Sequence, residues 1–161
     1  ALAIRTLGQR FDERNLELNQ TPSQQIGQLK RLSNRAADDL WEFVSRMDAE
    51  LPLFGRAYHT AMNAYGRAAL MLSDFGPLDV PMIDEVRAGV HQLNTELTTS
   101  RHQIAEFRGT VAQMPRLTAS FNRAKRRAVA TLDLADEEWS KAIDLSSNVV
   151  SIMSNILDSA A

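Results

Sequence analysis

Three histidines, His59, His91 and His102, are the side chains best suited to hold a metal or move a proton near neutral pH. A metal site inside a helical protein needs Glu-x-x-His pairs or clustered carboxylates facing inward. None of the three histidines has a glutamate three residues before it. His91 and His102 share a helix face, but eleven residues at 1.5 Å rise put them ~16 Å apart, too far for one ion. They read as solvent-facing or locally bonded groups. Nucleophilic chemistry fares no better. Ser146, Ser147, Ser151, Ser154 and Ser159 fall at the spacing of a polar helix face. No Gly-x-Ser-x-Gly elbow or glycine-rich phosphate loop occurs, although a triad can still assemble from distant residues. The absence of cysteine removes thiolate ligands, thiol nucleophiles and disulfides together. The expectation is a non-enzyme with no catalytic residue, no metal and no cofactor.

Two constellations suit binding instead. From Phe107 to Leu132 there are six cations, Arg108, Arg116, Arg123, Lys125, Arg126 and Arg127, and no acid. Lys30, Arg31 and Arg35 form a second basic stretch. If the chain folds back once near Leu78, residue 125 lies level with residue 31. The patch Lys30, Arg31, Arg35, Arg123, Lys125, Arg126 and Arg127 could then hold an anion, an acidic partner or a lipid headgroup. The competing reading is a solvated face neutralised by Asp38, Asp39, Glu42, Asp133, Asp136, Glu137 and Glu138. The second constellation is Tyr58 and Tyr65 on an apolar seam, flanked by Arg56, His59 and Arg67. In a bundle, Arg56, Tyr58, His59 and Tyr65 could face a small ligand. Amphipathic core filling is the plainer role for the tyrosines.

The elements that must position these groups are long helices. Ile4, Leu7, Phe11 and Leu18 mark a first helix over residues 1–19. Thr21-Pro22-Ser23-Gln24 looks like a helix start, with Thr21 as cap and Pro22 in the first turn. A seam then runs through Ile26, Leu29, Ser33, Ala36, Leu40, Phe43, Met47, Leu51, Phe54, Tyr58, Ala61, Tyr65, Ala68, Leu72 and Phe75. Its steps alternate three and four, except that Phe43–Met47–Leu51 takes two fours. Pro52 follows at once, so a helix over 22–75 kinked near Pro52 is predicted. Gly76–Pro81 reads as a loop. A helix over 81–114 follows, with the strict seam Ile83, Val86, Val90, Leu93, Leu97, Ser100, Ile104, Phe107, Val111 and Met114. The phase slips again at Pro115, where a second kink is expected. The last helix, 116–158, broadens its apolar stripe through Phe121, Ala124, Ala128, Leu132, Ala135, Trp139, Ile143, Val150, Met153 and Leu157.

The predicted fold is therefore all-α: long kinked helices packed as an antiparallel hairpin or bundle, a single domain over 1–161, read as cut from a longer protein. Few prolines and glycines, and 6% aromatics, oppose a β fold. A net charge of −2 argues against a nucleic-acid partner. Arginine outnumbers lysine fifteen to three, which fits a GC-rich, bacterial coding bias. The sequence leaves the compartment open. The expected function is a structural or interaction module that docks a protein partner or a second copy of itself. The alternative is a ligand-sensing helical bundle of an extracytoplasmic receptor, which would bring a small-molecule ligand. A membrane-surface role through the basic patch is a third, weaker expectation.

Overall fold

The structure, a computed structural model, describes residues 22–74 and 77–160. Three helices cover almost all of them and no strand occurs among them. We number them α1 (Pro22–Asp74), α2 (Val80–Gln113) and α3 (Ala119–Ala160). The helix expected over residues 1–19, and the Thr21 cap, lie outside the described residues.

Local chemistry accounts for the ends. Pro22 opens α1 where its missing amide would be unbonded in any case. Helix α1 runs unbroken through Pro52 for 53 residues. Asp79 caps α2: its carboxylate accepts the Met82 amide at 3.1 Å, and its carbonyl takes the Ile83 amide. Pro115 departs from expectation. It does not kink a continuing helix, because residues 114–118 are not helical and α3 starts afresh at Ala119. Thr118 is the cap, its hydroxyl accepting the Phe121 amide at 3.2 Å. The phase slip at Met114–Pro115 therefore marks a chain turn.

The described residues form two compact units. The first holds residues 22–50 and 102–136. Leu40, Val111, Phe121 and Leu132 are its fully enclosed large apolar residues, and Phe43 meets Phe107 edge-on at 5.7 Å. Around them lie Ala36, Ala37, Ala124, Ala128 and Ala135, all buried. These small side chains let neighbouring helices approach closely. Two polar ties fix the register of α1 against α3: Ser33 Oγ with Thr118 Oγ1 at 2.9 Å, and Asp48 with Arg127 at 2.9 Å and Thr131 at 3.4 Å. Residue numbers rise together along this contact, because the turn at 114–118 brings α3 back alongside α1.

The second unit holds residues 51–74, 77–101 and 137–160. Met62, Ala69, Ile83, Val90, Val149 and Met153 form its buried core, flanked by Leu93, Leu145 and Ile152. Gly66 is buried, and a Cβ there would lie 3.8 Å from Ile152 Cδ1, so packing is close. Asn94 ties α2 to α3, its amide within 2.7 Å of Ser146 Oγ, 3.0 Å of Ser147 Oγ and 3.1 Å of the Ile143 carbonyl.

All ten α2 seam positions are buried or half-buried. The α1 seam holds as far as Ala61 apart from exposed Ile26 and Leu29, then moves by one residue. Met62, Gly66 and Ala69 are buried where Tyr65, Ala68 and Leu72 were expected. A straight helix drifts about 20° per heptad against a strict 3.5-residue repeat, enough over several turns to bring the next row inward.

Candidate functional site

The two basic stretches do not come level as expected. Ser33 sits at Thr118 and Asp48 lies between Arg127 and Thr131, which puts residue 125 beside residues 40–46 of α1. Arg126 is thus ~20 Å along the axis from Arg31, at 1.5 Å per residue. Several cations are also engaged internally. Lys125 is half-buried and its ammonium donates to the Met114 carbonyl at 2.5 Å, neutralising the C-terminal end of α2. Arg127 pairs with Asp48, and Arg108 with Asp133 at 2.5 Å, which raises the Arg108 pKa through that hydrogen bond and charge. Lys30, Arg31, Arg35, Arg123 and Arg126 are exposed and form no ion pair among the described residues. A single basic patch of seven residues is not assembled.

The tyrosine constellation is partly assembled, in the second unit. Successive turns of α1 bring Gly55, Tyr58 and His59 against Glu138, Lys141, Ala142, Asp144, Leu145 and Asn148 of α3, enclosing a cleft of about 310 Å³. Gly55 matters locally, since a Cβ there would overlap the Glu138 carboxylate, which leans over it. Phe54 stacks on Trp139 at 4.3 Å and 14°, and Tyr58 packs on Phe54 at 5.2 Å. Among the described residues, Tyr58 Oη and Trp139 Nε1 are buried without a hydrogen-bond partner. Such orphaned polar atoms are uncommon and costly. Burial pushes the Tyr58 phenol up to about 12, the Glu96 carboxylate adding to the rise.

The other two predicted members are not brought in. Arg56 is exposed and donates to the Pro52 carbonyl at 3.4 Å, and Tyr65 is exposed. His59 accepts from the Asn63 amide at 3.0 Å, His102 pairs with Glu106 at 3.1 Å, and His91 is exposed. Among the described residues no group of three acids or histidines could hold a metal. No described helix is long and apolar enough to cross a membrane.

Sequence reasoning missed a third feature. Leu70, Met71 and Leu72 near the end of α1, with Val80 and Met82 at the start of α2, are 40–60% exposed. Beside them a groove of about 420 Å³ is lined by Leu70, Ser73, Leu78, Ile152, Asn155 and Ile156. The signal was present in the run Leu70-Met71-Leu72, which is too apolar to satisfy one seam.

No known protein family, curated protein or solved structure matches the chain. Any functional reading therefore rests on these surfaces alone.

Proposed function

We propose that this chain is a non-enzymatic helical-bundle module that mediates protein–protein association, with α2 running antiparallel to α1 and α3 along heptad seams. The observation that supports it is the apolar surface left exposed on helices that already share buried residues. Leu70, Met71, Leu72, Val80 and Met82 gather at one end of the second unit, and Trp41 and Leu134 stand out on the first. Exposed apolar clusters of this kind mark interaction sites. The partner is another protein or a second copy of the chain.

The test is photocrosslinking in cells that make the protein. A photoreactive residue is placed at Trp41, at Met71 or at the polar exposed position His102. The reading expects discrete protein adducts at Trp41 or Met71 and none at His102. The same diffuse background at all three positions would overturn it.

The cleft beside Tyr58 and His59 favours a second reading, a ligand-sensing bundle. The rings of Tyr58 and His59 together with Glu138, Lys141 and Asp144 suit a small polar molecule, and the Phe54–Trp139 stack lies behind Tyr58. A screen of small amines and carboxylates that moves the indole fluorescence of Trp139 would support it. A Trp139 signal unmoved by the whole screen would count against it.

A further inference from the structure

We infer that the groove at the end of the second unit docks a basic amphipathic helix of a partner protein. This deepens the interaction reading proposed above and rests on it. The groove lies between α1 and α3, with Leu70 and Ser73 on one side and Ile152, Asn155 and Ile156 on the other. On each wall these residues are spaced three and four apart, so they share one helix face. From Ile152 to Ser159 it runs ~10 Å, the span of helix anchors at i, i+4 and i+7 at 1.5 Å per residue. Leu70 is half-exposed at its rim, so the apolar wall is open to an incoming side chain.

Charge selects the partner. Asp74 neighbours Ser73, Asp79 neighbours Leu78, and Asp158 lies between Ile156 and Ser159. No cation follows Lys141 on α3, and none lies between Arg67 and Arg87. Arg87 is already held by Asp84 and Ser154. Leucine and isoleucine side chains in the lining, with acids next to them along the chain and no cation in the flanking segments, complement a helix that carries leucine-type anchors flanked by lysine or arginine. A second copy meeting the same end would set acid against acid. An anionic lipid surface would be repelled in the same way.

The full chain is titrated by fluorescence anisotropy with a labelled basic helical peptide of about five turns, leucine on one face and lysine on the other. Its counterpart carries glutamate in place of lysine. The basic peptide should bind, more weakly as salt rises, and the acidic one at least ~10-fold more weakly, a difference of ~1.4 kcal/mol. Leu70→Asn should weaken binding by a similar factor, with unchanged helix content by circular dichroism. The exposed pair Asp74→Asn and Asp158→Asn keeps the lining leucines and isoleucines and should reduce both affinity and salt dependence. Leu134→Asn on the other unit should do nothing. Equal binding of both peptides, or no response to either groove variant, would overturn the inference. So would sedimentation showing that the groove closes a dimer dissolved by Leu70→Asn, or binding to anionic vesicles through Leu70. No peptide binding with crosslinks still formed at Met71 would sink the basic-helix assignment alone. Loss of crosslinks at both Trp41 and Met71 would sink the interaction reading with it.

Discussion

Thr118 joins a helix cap to an inter-helix tie, so removing its hydroxyl probes both. Thr118→Val keeps the shape and deletes one oxygen. The Phe121 amide then loses its acceptor at 3.2 Å, and the loss of a threonine cap costs ~1 kcal/mol, with a range of roughly 0.5–2. Ser33, 1% exposed, loses its hydroxyl partner at 2.9 Å. A buried polar group left unsatisfied costs roughly 1–3 kcal/mol. Ser33 keeps one contact, since its oxygen still accepts the Thr118 amide at 3.3 Å, which puts its share at the low end. The expected total is ~2–3 kcal/mol. For a chain of this size that lowers Tm by about 4–12 °C, at 2–4 °C per kcal/mol. Ser33→Ala alone should cost about 1 kcal/mol. The double variant should cost less than the sum, with a coupling of at least ~0.5 kcal/mol. Urea unfolding of the four proteins measures the cycle, and amide exchange at Phe121 and Asn122 reports the cap directly. Strict additivity, or a Thr118→Val cost under ~0.5 kcal/mol, would refute the tie between α1 and α3.

Pro52→Ala should stabilise the protein, since an interior helical proline costs ~3 kcal/mol and the lost unfolded-state restriction returns only ~1. A net gain near 2 kcal/mol is expected by urea unfolding, and a loss would show that the packing around residue 52 depends on the proline. Gly89 and Gly109 have open space where a Cβ would go, so alanine at each should add ~1 kcal/mol, seen as a Tm rise of ~2–4 °C. Tyr58 ionises at about 12 when folded, against 10.0 for an ordinary tyrosine. Its contribution is therefore present below pH 10 and lost as pH climbs towards 12. Tyr58→Phe should flatten that alkaline fall in Tm while leaving stability at neutral pH level or higher, because the hydroxyl has no partner.

The α2 seam is legible in the sequence because each heptad position from Ile83 to Val111 carries an apolar residue apart from Ser100. The α1 seam is legible only until drift brings Met62 and Gly66 inward. At that distance a fixed repeat no longer predicts the face, and Tyr65 turns outward. Pro115 misled for a different reason. A phase slip beside proline fits a kink and a turn equally, and Thr118 lacks the glutamate three residues on that would complete a capping box. From that one turn follows the register of α3 along α1. Without it, Tyr58 and His59 could be singled out, but Glu138, Lys141 and Asp144 could not be brought to them, and the basic stretches were wrongly set level.

The alanines buried in the first unit shape how its sequence can change. Alanine has no rotamers to lose on folding, so Ala36, Ala37, Ala124, Ala128 and Ala135 fill their contacts without side-chain entropy cost. They also leave nothing to trim and no volume to grow into. Enlarging any one must push two backbones apart, whereas the methionines of the other core, Met62 and Met153, can reshape around a change. Neutral drift should therefore run slowly through the alanine contact and faster through the methionine-lined end. The exposed run Leu70, Met71 and Leu72 lies in that same unit, so the groove proposed to meet a partner helix sits in the part of the fold with more freedom to change.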